Sequence, residues 1–160
     1  MTPEGNKAIV QRWVTEILDQ GNLVGLERYV GSASVDHGVL PGMAADREGT
    51  RQLLRMYRQA FPDMRVHVDD MIAEGDQVVS RLTMTGTHQG EFLGLVPTGR
   101  QVTVTMIDWH RLVEGRQVEH WSQVDLHGLL QQLGAIPPSL AGQTGRGTAI
   151  PSPAAAGLAP

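Results

Sequence analysis

Residues 100–125, RQVTVTMIDWHRLVEGRQVEHWSQVD, decide the fold that this sequence predicts. On both sides of the central EG dipeptide, β-branched and apolar residues alternate with polar ones, which is typical of two antiparallel strands joined by a tight turn. Successive side chains of a strand face opposite sides of the sheet. Asp108 therefore shares one face with Val104 and Met106, and Trp109 lies on the other.

Further strand patterns precede this hairpin, and helical patterns precede the strands. MRVHVDDMI and DQVVSRLTMTGTH alternate with period two, whereas apolar residues recur at helical spacing from Pro3 to Leu18 and after Asp46. A short helix over residues 23–30 and a fourth over 126–133, which ends at Gly134, complete the set. This order predicts an α+β fold, in which a curved antiparallel sheet wraps around N-terminal helices and encloses a cavity.

The composition predicts one ordinary globular domain. The chain has 160 residues and a net charge of −4, and it contains no cysteine. The charge argues against a nucleic-acid partner, and the absence of cysteine excludes disulfides and thiolate catalysis. No signal peptide or membrane-spanning run is visible, so we predict no membrane partner and a cytoplasmic location. A proline-, glycine- and alanine-rich end predicts a flexible tail over residues 138–160, after a domain over residues 1–137.

Three stretches resemble one known family. GTHQGEFLGLVPTGRQV, DWHRLVEGRQVEHW and DLHGLLQQLGA are, in this order, similar to the SnoaL-like polyketide cyclases, over roughly residues 5–136. The resemblance implies a cone-shaped α+β barrel with an internal pocket, as in ketosteroid isomerase and scytalone dehydratase. It also implies ring closure by intramolecular aldol condensation of a polyketide methyl ester, without a metal or organic cofactor, and pairing of two copies through the outer face of the sheet.

The resemblance assigns the family's pocket positions to residues of this sequence. Aligned backwards from LLQQLG without gaps, the family's acid/base aspartate falls on Ser122 and a pocket histidine falls on Asp108. A pocket asparagine falls near His37, and Asp125 and Arg111 match positions shared across the family. The resemblance therefore implies that the scaffold is kept while the chemical groups of the site differ.

We predict three catalytic residues: Asp108, His120 and His37. Asp108 interrupts an apolar strand, and its parity favours the inner face over the alternative, the surface; burial there predicts a raised pKa that suits proton transfer. His120 and Ser122 share one face of the last strand, and Ser122 is expected to form hydrogen bonds rather than act as an activated nucleophile. His37 precedes a glycine-bearing loop and is expected at the pocket mouth, the alternative being a solvated loop histidine.

Substrate contacts are predicted for Ser122 and for four other residues: Met106, His88, Trp121 and Asp125. Met106 shares the inner face of Asp108, and His88 ends a strand beside the loop that is expected to line the entrance. Trp121 has the outward parity, which also fits packing against a helix or a partner subunit, and Asp125 either caps the last helix or reaches the ligand. The histidines show no HExxH motif and no two-histidine-plus-acid spacing on one element, so we predict no metal and no cofactor.

Three functions fit such a pocket. The first is a cofactor-free cyclase or isomerase of secondary metabolism, acting on a small hydrophobic, polyketide-like substrate by proton transfer next to a carbonyl. The second is an epoxide hydrolase or cyclase, which requires two acids and a basic partner around one water. The third is a non-catalytic small-molecule-binding protein. Apolar side chains on the outward faces, Ile107, Trp109 and Trp121, also predict a homodimer.

Overall fold

A computed structural model of the chain describes residues 2–137, so the tail predicted over residues 138–160 lies outside the described residues. The helices are α1 (Pro3–Trp13), which continues as a π-helical segment (Val14–Asp19), a 3-10 turn (Leu23–Gly25), α2 (Leu26–Tyr29), α3 (Arg47–Ala60) and α4 (Leu126–Leu133). The strands are β1 (Val30–Asp36), β2 (Arg65–Glu74), β3 (Gln77–Thr87), β4 (Gln101–Val113) and β5 (Arg116–Val124).

The five strands form one sheet in the order β1-β5-β4-β3-β2. Strands β2 to β5 are antiparallel neighbours, which confirms the predicted meander and the α+β architecture. The strand at one edge of the sheet was not predicted. Val30, which was expected to end a helix, begins β1, and β1 pairs in parallel with β5, so the sheet is mixed. The sequence of this strand, VGSASVD, consists mainly of small residues and shows no apolar alternation, so periodicity does not indicate a strand. The predicted helix over residues 23–30 therefore included Val30, whereas α2 ends at Tyr29.

Side-chain caps explain where three of the helices begin. The Thr2 side chain accepts a hydrogen bond from the Gly5 amide, and the Asp46 carboxylate accepts from the amides of the first turn of α3. Asp125 caps α4 in the same way, and Gly134 ends that helix in the left-handed conformation (φ 79°). These caps satisfy amide groups that have no partner within the helix.

The N-terminal helix packs its apolar side against the inner face of the sheet. Side chains of the helix such as Val10, Trp13 and Ile17 are buried, together with sheet residues such as Leu82 and Val104. Helix α3 packs against β1. No helix within residues 2–137 is long and apolar enough to cross a membrane.

Candidate active site

A cavity of about 220 Å³ lies between the inner face of the sheet and the helices. Much of its wall is apolar, formed by side chains that include Trp13, Leu18, Leu54, Met84, Met106 and Val124. The polar side chains that line it are Asp36, Thr50, Tyr57, Asp108, His120 and Ser122. A small apolar molecule that carries a few polar groups fits such a lining.

Asp108 lies on the inner face of β4, as its strand parity predicts, and only 4% of it is exposed. It is the cross-strand neighbour of Ser122 on β5, and the Ser122 hydroxyl donates a hydrogen bond of 2.6 Å to its Oδ1. Burial alone opposes ionisation, but the charge of the nearby His120, aided by His110 and by the Ser122 hydrogen bond, holds the pKa of the Asp108 carboxyl below its usual range. The raised pKa predicted from burial is therefore wrong, because neighbouring donors and positive charge outweigh desolvation.

His120 lies between two buried carboxylates. Its Nδ1 is 2.9 Å from Oδ1 of Asp36, and its Nε2 is 3.9 Å from Oδ1 of Asp108. Burial disfavours the charged ring, yet the charges of the two aspartates and the hydrogen bond to Asp36 outweigh burial and raise the pKa of His120 to about 10. At neutral pH the ring is therefore an imidazolium, which carries a proton on each nitrogen.

Asp36 is the functional candidate that the sequence did not indicate. It ends β1, pairs with His120 across the parallel strands and is 1% exposed. Its carboxylate accepts hydrogen bonds from the Thr50 hydroxyl (2.6 Å) and from the Gly38 amide (2.9 Å). These donors and His120 outweigh burial and hold the pKa of Asp36 below its usual value. The only available signal was an acid directly before His37, and without the strand its inward direction could not be inferred.

His110 lies beside His120, with the ring centroids 4.8 Å apart. Its Nδ1 pairs with Oε1 of Gln117 at 2.8 Å, and burial, together with the charge of His120, lowers the pKa of His110 to about 4. Asp108, His110 and His120 each bring one potential ligand atom within 4.8 Å of the others. A metal ion needs neutral histidine nitrogens, and at His120 it would have to displace a proton of the imidazolium. The absence of a metal stays a prediction.

Four of the predicted site residues line the cavity, and four lie elsewhere in the described part of the chain. Those that line it are Asp108, His120, Ser122 and Met106. His37 follows the inward Asp36 and so points outwards: its ring stacks on Trp121 with centroids 5.0 Å apart, and its Nε2 is 3.1 Å from Oε1 of Glu119. The expected position of His37 at the pocket mouth is therefore corrected.

The other three residues also lie outside the cavity lining: for His88 the expected position is corrected, whereas Trp121 and Asp125 take the alternative position that the sequence left open. His88 is fully buried beside Phe61, and its Nδ1 is 3.1 Å from the Thr98 hydroxyl rather than at an entrance. Trp121 follows strand parity to the outer face, where its ring centroid lies 5.3 Å from that of Trp109. Asp125 is the cap of α4 and accepts a hydrogen bond from the Gly128 amide, so that of its two predicted roles the structure shows the cap.

The fold and the cavity define a small α+β protein with an internal pocket whose acid and base groups lie side by side. The family model described as SnoaL-like polyketide cyclase matches residues 8–133, and the chain belongs to this family. Nogalonic acid methyl ester cyclase of Streptomyces nogalater is 30% identical to it over 107 residues, which are 66% of this chain and 77% of the relative.

Solved structures have the same fold. TsrD from Streptomyces laurentii is 26% identical, with a TM-score of 0.77 over 85% of this chain and 99% of that one. AclR from Streptomyces galilaeus, described as a candidate hydroxylase, is 31% identical, with a TM-score of 0.77 over 85% of each chain. Similar proteins thus include both a cyclase and a protein for which another reaction is suggested, so the fold alone does not determine the reaction.

Proposed function

We propose that the protein is a cofactor-free cyclase or isomerase that acts on a polyketide-like small molecule by proton transfer next to a carbonyl. One observation carries the proposal: an ionised carboxylate, Asp108, lies 3.9 Å from Nε2 of a cationic histidine, His120, in the wall of a mainly apolar cavity. Membership of the SnoaL-like polyketide cyclase family supports it. So does the name of the Streptomyces nogalater relative, a cyclase of nogalonic acid methyl ester.

The two charged groups have complementary roles in this reaction. Asp108 accepts the proton from the carbon next to a substrate carbonyl, and the electrons of the broken C–H bond form an enolate. The imidazolium of His120 donates a hydrogen bond from Nε2 to the oxygen on which the negative charge develops. In a cyclisation, the enolate carbon attacks a second carbonyl of the same molecule, whose C=O π electrons become the new alkoxide, and the alkoxide takes up the proton that Asp108 accepted, which restores the carboxylate. Ser122 orients the base through its hydrogen bond to Asp108.

The charge state of the site limits the class of substrates that can react. Because the pKa of Asp108 lies below its usual range, the carboxylate is ionised at neutral pH but is a weak base. Proton abstraction by a weak base requires an acidified C–H bond, since rates follow the difference between the two pKa values. We therefore propose a substrate whose reacting carbon lies between two carbonyl groups, as in a β-keto ester.

Deuterium exchange tests the proposal without knowledge of the natural substrate. A set of aromatic and linear β-keto esters is incubated with the protein in D₂O, and NMR follows exchange at the acidic carbon while mass spectrometry follows ring closure. Asp108→Asn should reduce exchange by about 10²- to 10⁴-fold, as loss of an acid/base group does. Asp125→Asn is the matched control, because this aspartate caps α4 outside the cavity. Full exchange activity in Asp108→Asn would exclude Asp108 as the base.

A specific observation favours a second function, hydrolysis or cyclisation of an epoxide. That chemistry requires two acids and a basic partner around one water, and Asp36 and Asp108 flank His120 in this way. Incubation of epoxide probes in H₂¹⁸O distinguishes the two reactions, since hydrolysis places the labelled oxygen in a diol. Label uptake without exchange of β-keto esters would favour the epoxide reaction. Tight ligand binding without turnover of either probe class would favour a binding protein.

We also propose that two copies pair through the outer face of the sheet. Several large apolar residues are exposed on the strands of this face: Ile72, Ile107, Trp109 and Val113. Trp109 is 45% exposed, although its indole N–H already donates to Gln77 at 2.8 Å. Large apolar residues exposed on one face of a sheet are typical of an interface, and identical surfaces pair about a two-fold axis.

A further inference from the structure

The carboxylate of Asp36 is held from three directions. Its Oδ1 accepts hydrogen bonds from Nδ1 of His120 and from the Gly38 amide, both at 2.9 Å, and its Oδ2 accepts from the Thr50 hydroxyl at 2.6 Å. The donors come from β5, from the residues that follow β1 and from α3. A buried carboxylate is costly unless it is paired and hydrogen-bonded, and this one has both kinds of partner. The position of the Asp36 carboxylate in the cavity wall is therefore fixed.

The contact with Asp36 leaves one nitrogen of His120 for the cavity. Because Nδ1 is engaged, the free nitrogen is Nε2, which is buried and has no hydrogen-bond partner within residues 2–137. The nearest carboxylate oxygen, Oδ1 of Asp108, is 3.9 Å away, too far for a hydrogen bond. A buried donor without a protein partner needs an acceptor, and next to a cavity a ligand or a water molecule can supply it.

We propose that Asp36 is the positioning residue of this site: through Nδ1 it holds the His120 ring and its second proton in place, so that the Nε2–H meets the substrate oxygen on which negative charge develops. The statement that the Nε2–H donates to a substrate oxygen rests on the proposed function. The holding of the ring and of its proton is a property of the free protein, and it is tested separately.

The other groups that face His120 support this role. Asp108 shares the cation but makes no hydrogen bond to it at 3.9 Å, and His110, stacked on the ring, is neutral because its pKa is lowered to about 4. Tyr57 on α3 is also neutral, since burial and the charge of Asp108 raise its pKa to about 12. Asp36 is thus the one anion in direct hydrogen-bond contact with His120 among the described residues.

NMR of the imidazole nitrogens tests the proposal in the free protein. In ¹⁵N-histidine-labelled protein, His120→Asn assigns the signals of this ring among those of the six histidines. The wild-type ring should remain an imidazolium at pH 8. Asp36→Asn, which keeps the shape and removes the charge, should lower the pKa of His120 by roughly 1–3 units, the usual effect of an opposite charge. Asp125→Asn should leave it unchanged.

Two results would overturn the proposal. A neutral His120 ring in the wild-type protein at pH 8 would do so whatever the variants show, and so would an unchanged titration in folded Asp36→Asn. Asp36→Glu is the second variant: it retains the charge and should keep the ring protonated, while the longer side chain moves the ring.

A β-keto ester at which the wild-type protein catalyses deuterium exchange allows a kinetic test as well. Asp36→Asn and Asp36→Glu should both lower kcat, by about 10²-fold, with little change in KM, because the hydrogen bond strengthens only as charge develops on the substrate. Unchanged kcat in both variants would contradict the positioning role. If no probe is turned over by the wild-type protein, the proposed function fails while the NMR titration still decides the role of Asp36 in holding the ring.

Discussion

Two of the three buried histidines, His110 and His120, make the stability of the protein depend on pH in opposite directions. The pKa of His120 is about 10 in the folded protein, above its ordinary value of 6.5, so its stabilising contribution is complete below about pH 6.5 and is lost as the pH rises towards 10. The pKa of His110 is lowered to about 4, so the unfolded chain binds more protons between pH 4 and 6.5, and stability rises with pH there.

Urea unfolding at a series of pH values measures both effects. The free energy of unfolding should be highest between about pH 6 and 7 and should fall towards pH 9.5, by about 1.4 kcal/mol for each unit of pKa difference at most. His120→Asn should remove the alkaline slope. His67→Asn is a suitable control, since this histidine is exposed on β2. A free energy that does not change between pH 7 and 9.5 would contradict the cationic state of His120.

At the scale of single residues, strand parity was the informative signal. Alternation predicted the inner face for Asp108 and one shared face for His120 and Ser122, because side chains two positions apart on a strand point the same way. The family resemblance then implied that the face of Ser122 is the inner one. The same signal failed for Asp36, whose strand consists mainly of small residues. The sign of the pKa shift of Asp108 also escaped prediction, because it depends on the summed effect of donors from another strand rather than on burial alone.

The last helix gives a prediction at the scale of an element. Asp125 accepts a hydrogen bond of 2.8 Å from the Gly128 amide at the start of α4. Asp125→Ala should lower the free energy of unfolding by about 1 kcal/mol, the usual cost of losing such a cap. Because Asn also caps helices, Asp125→Asn should be close to wild type. Thermal and urea unfolding measure the change, and loss of ligand binding or turnover in a stably folded Asp125→Ala would instead indicate that Asp125 reaches the ligand.

At this scale most of the fold was predictable. Four strands and the ends of three helices followed from periodicity, caps and a left-handed glycine, all of which depend on residues near in sequence. Strand β1 did not, since its hydrogen bonds go to β5, more than eighty residues away. Partners at such distances are chosen by tertiary packing, which a local pattern does not contain.

The assembly gives a prediction for the whole molecule. Sedimentation velocity at micromolar concentration should show a dimer for the unmutated protein. Trp109→Glu places a charge in the proposed interface and should shift the protein to monomer, and so should the same change at Trp121. Val24→Glu is the matched control, because Val24 is 86% exposed on the 3-10 turn, outside the sheet. An unmutated protein that sediments as a monomer would contradict the pairing and leave the two tryptophans as surface packing.

The parallel pairing of β1 with β5 has a consequence for biosynthesis. Asp36 and His120 are 84 residues apart, so the nascent chain leaves the ribosome with this aspartate long before its histidine exists. Contacts of such separation form late, because the entropy of closing the intervening chain is lost before the contact stabilises anything. A polypeptide that stops before β5 therefore has helices and hairpins but lacks the part of the cavity wall that carries His120 and Ser122. The protein can begin to recognise its ligand only when its final strand has been made.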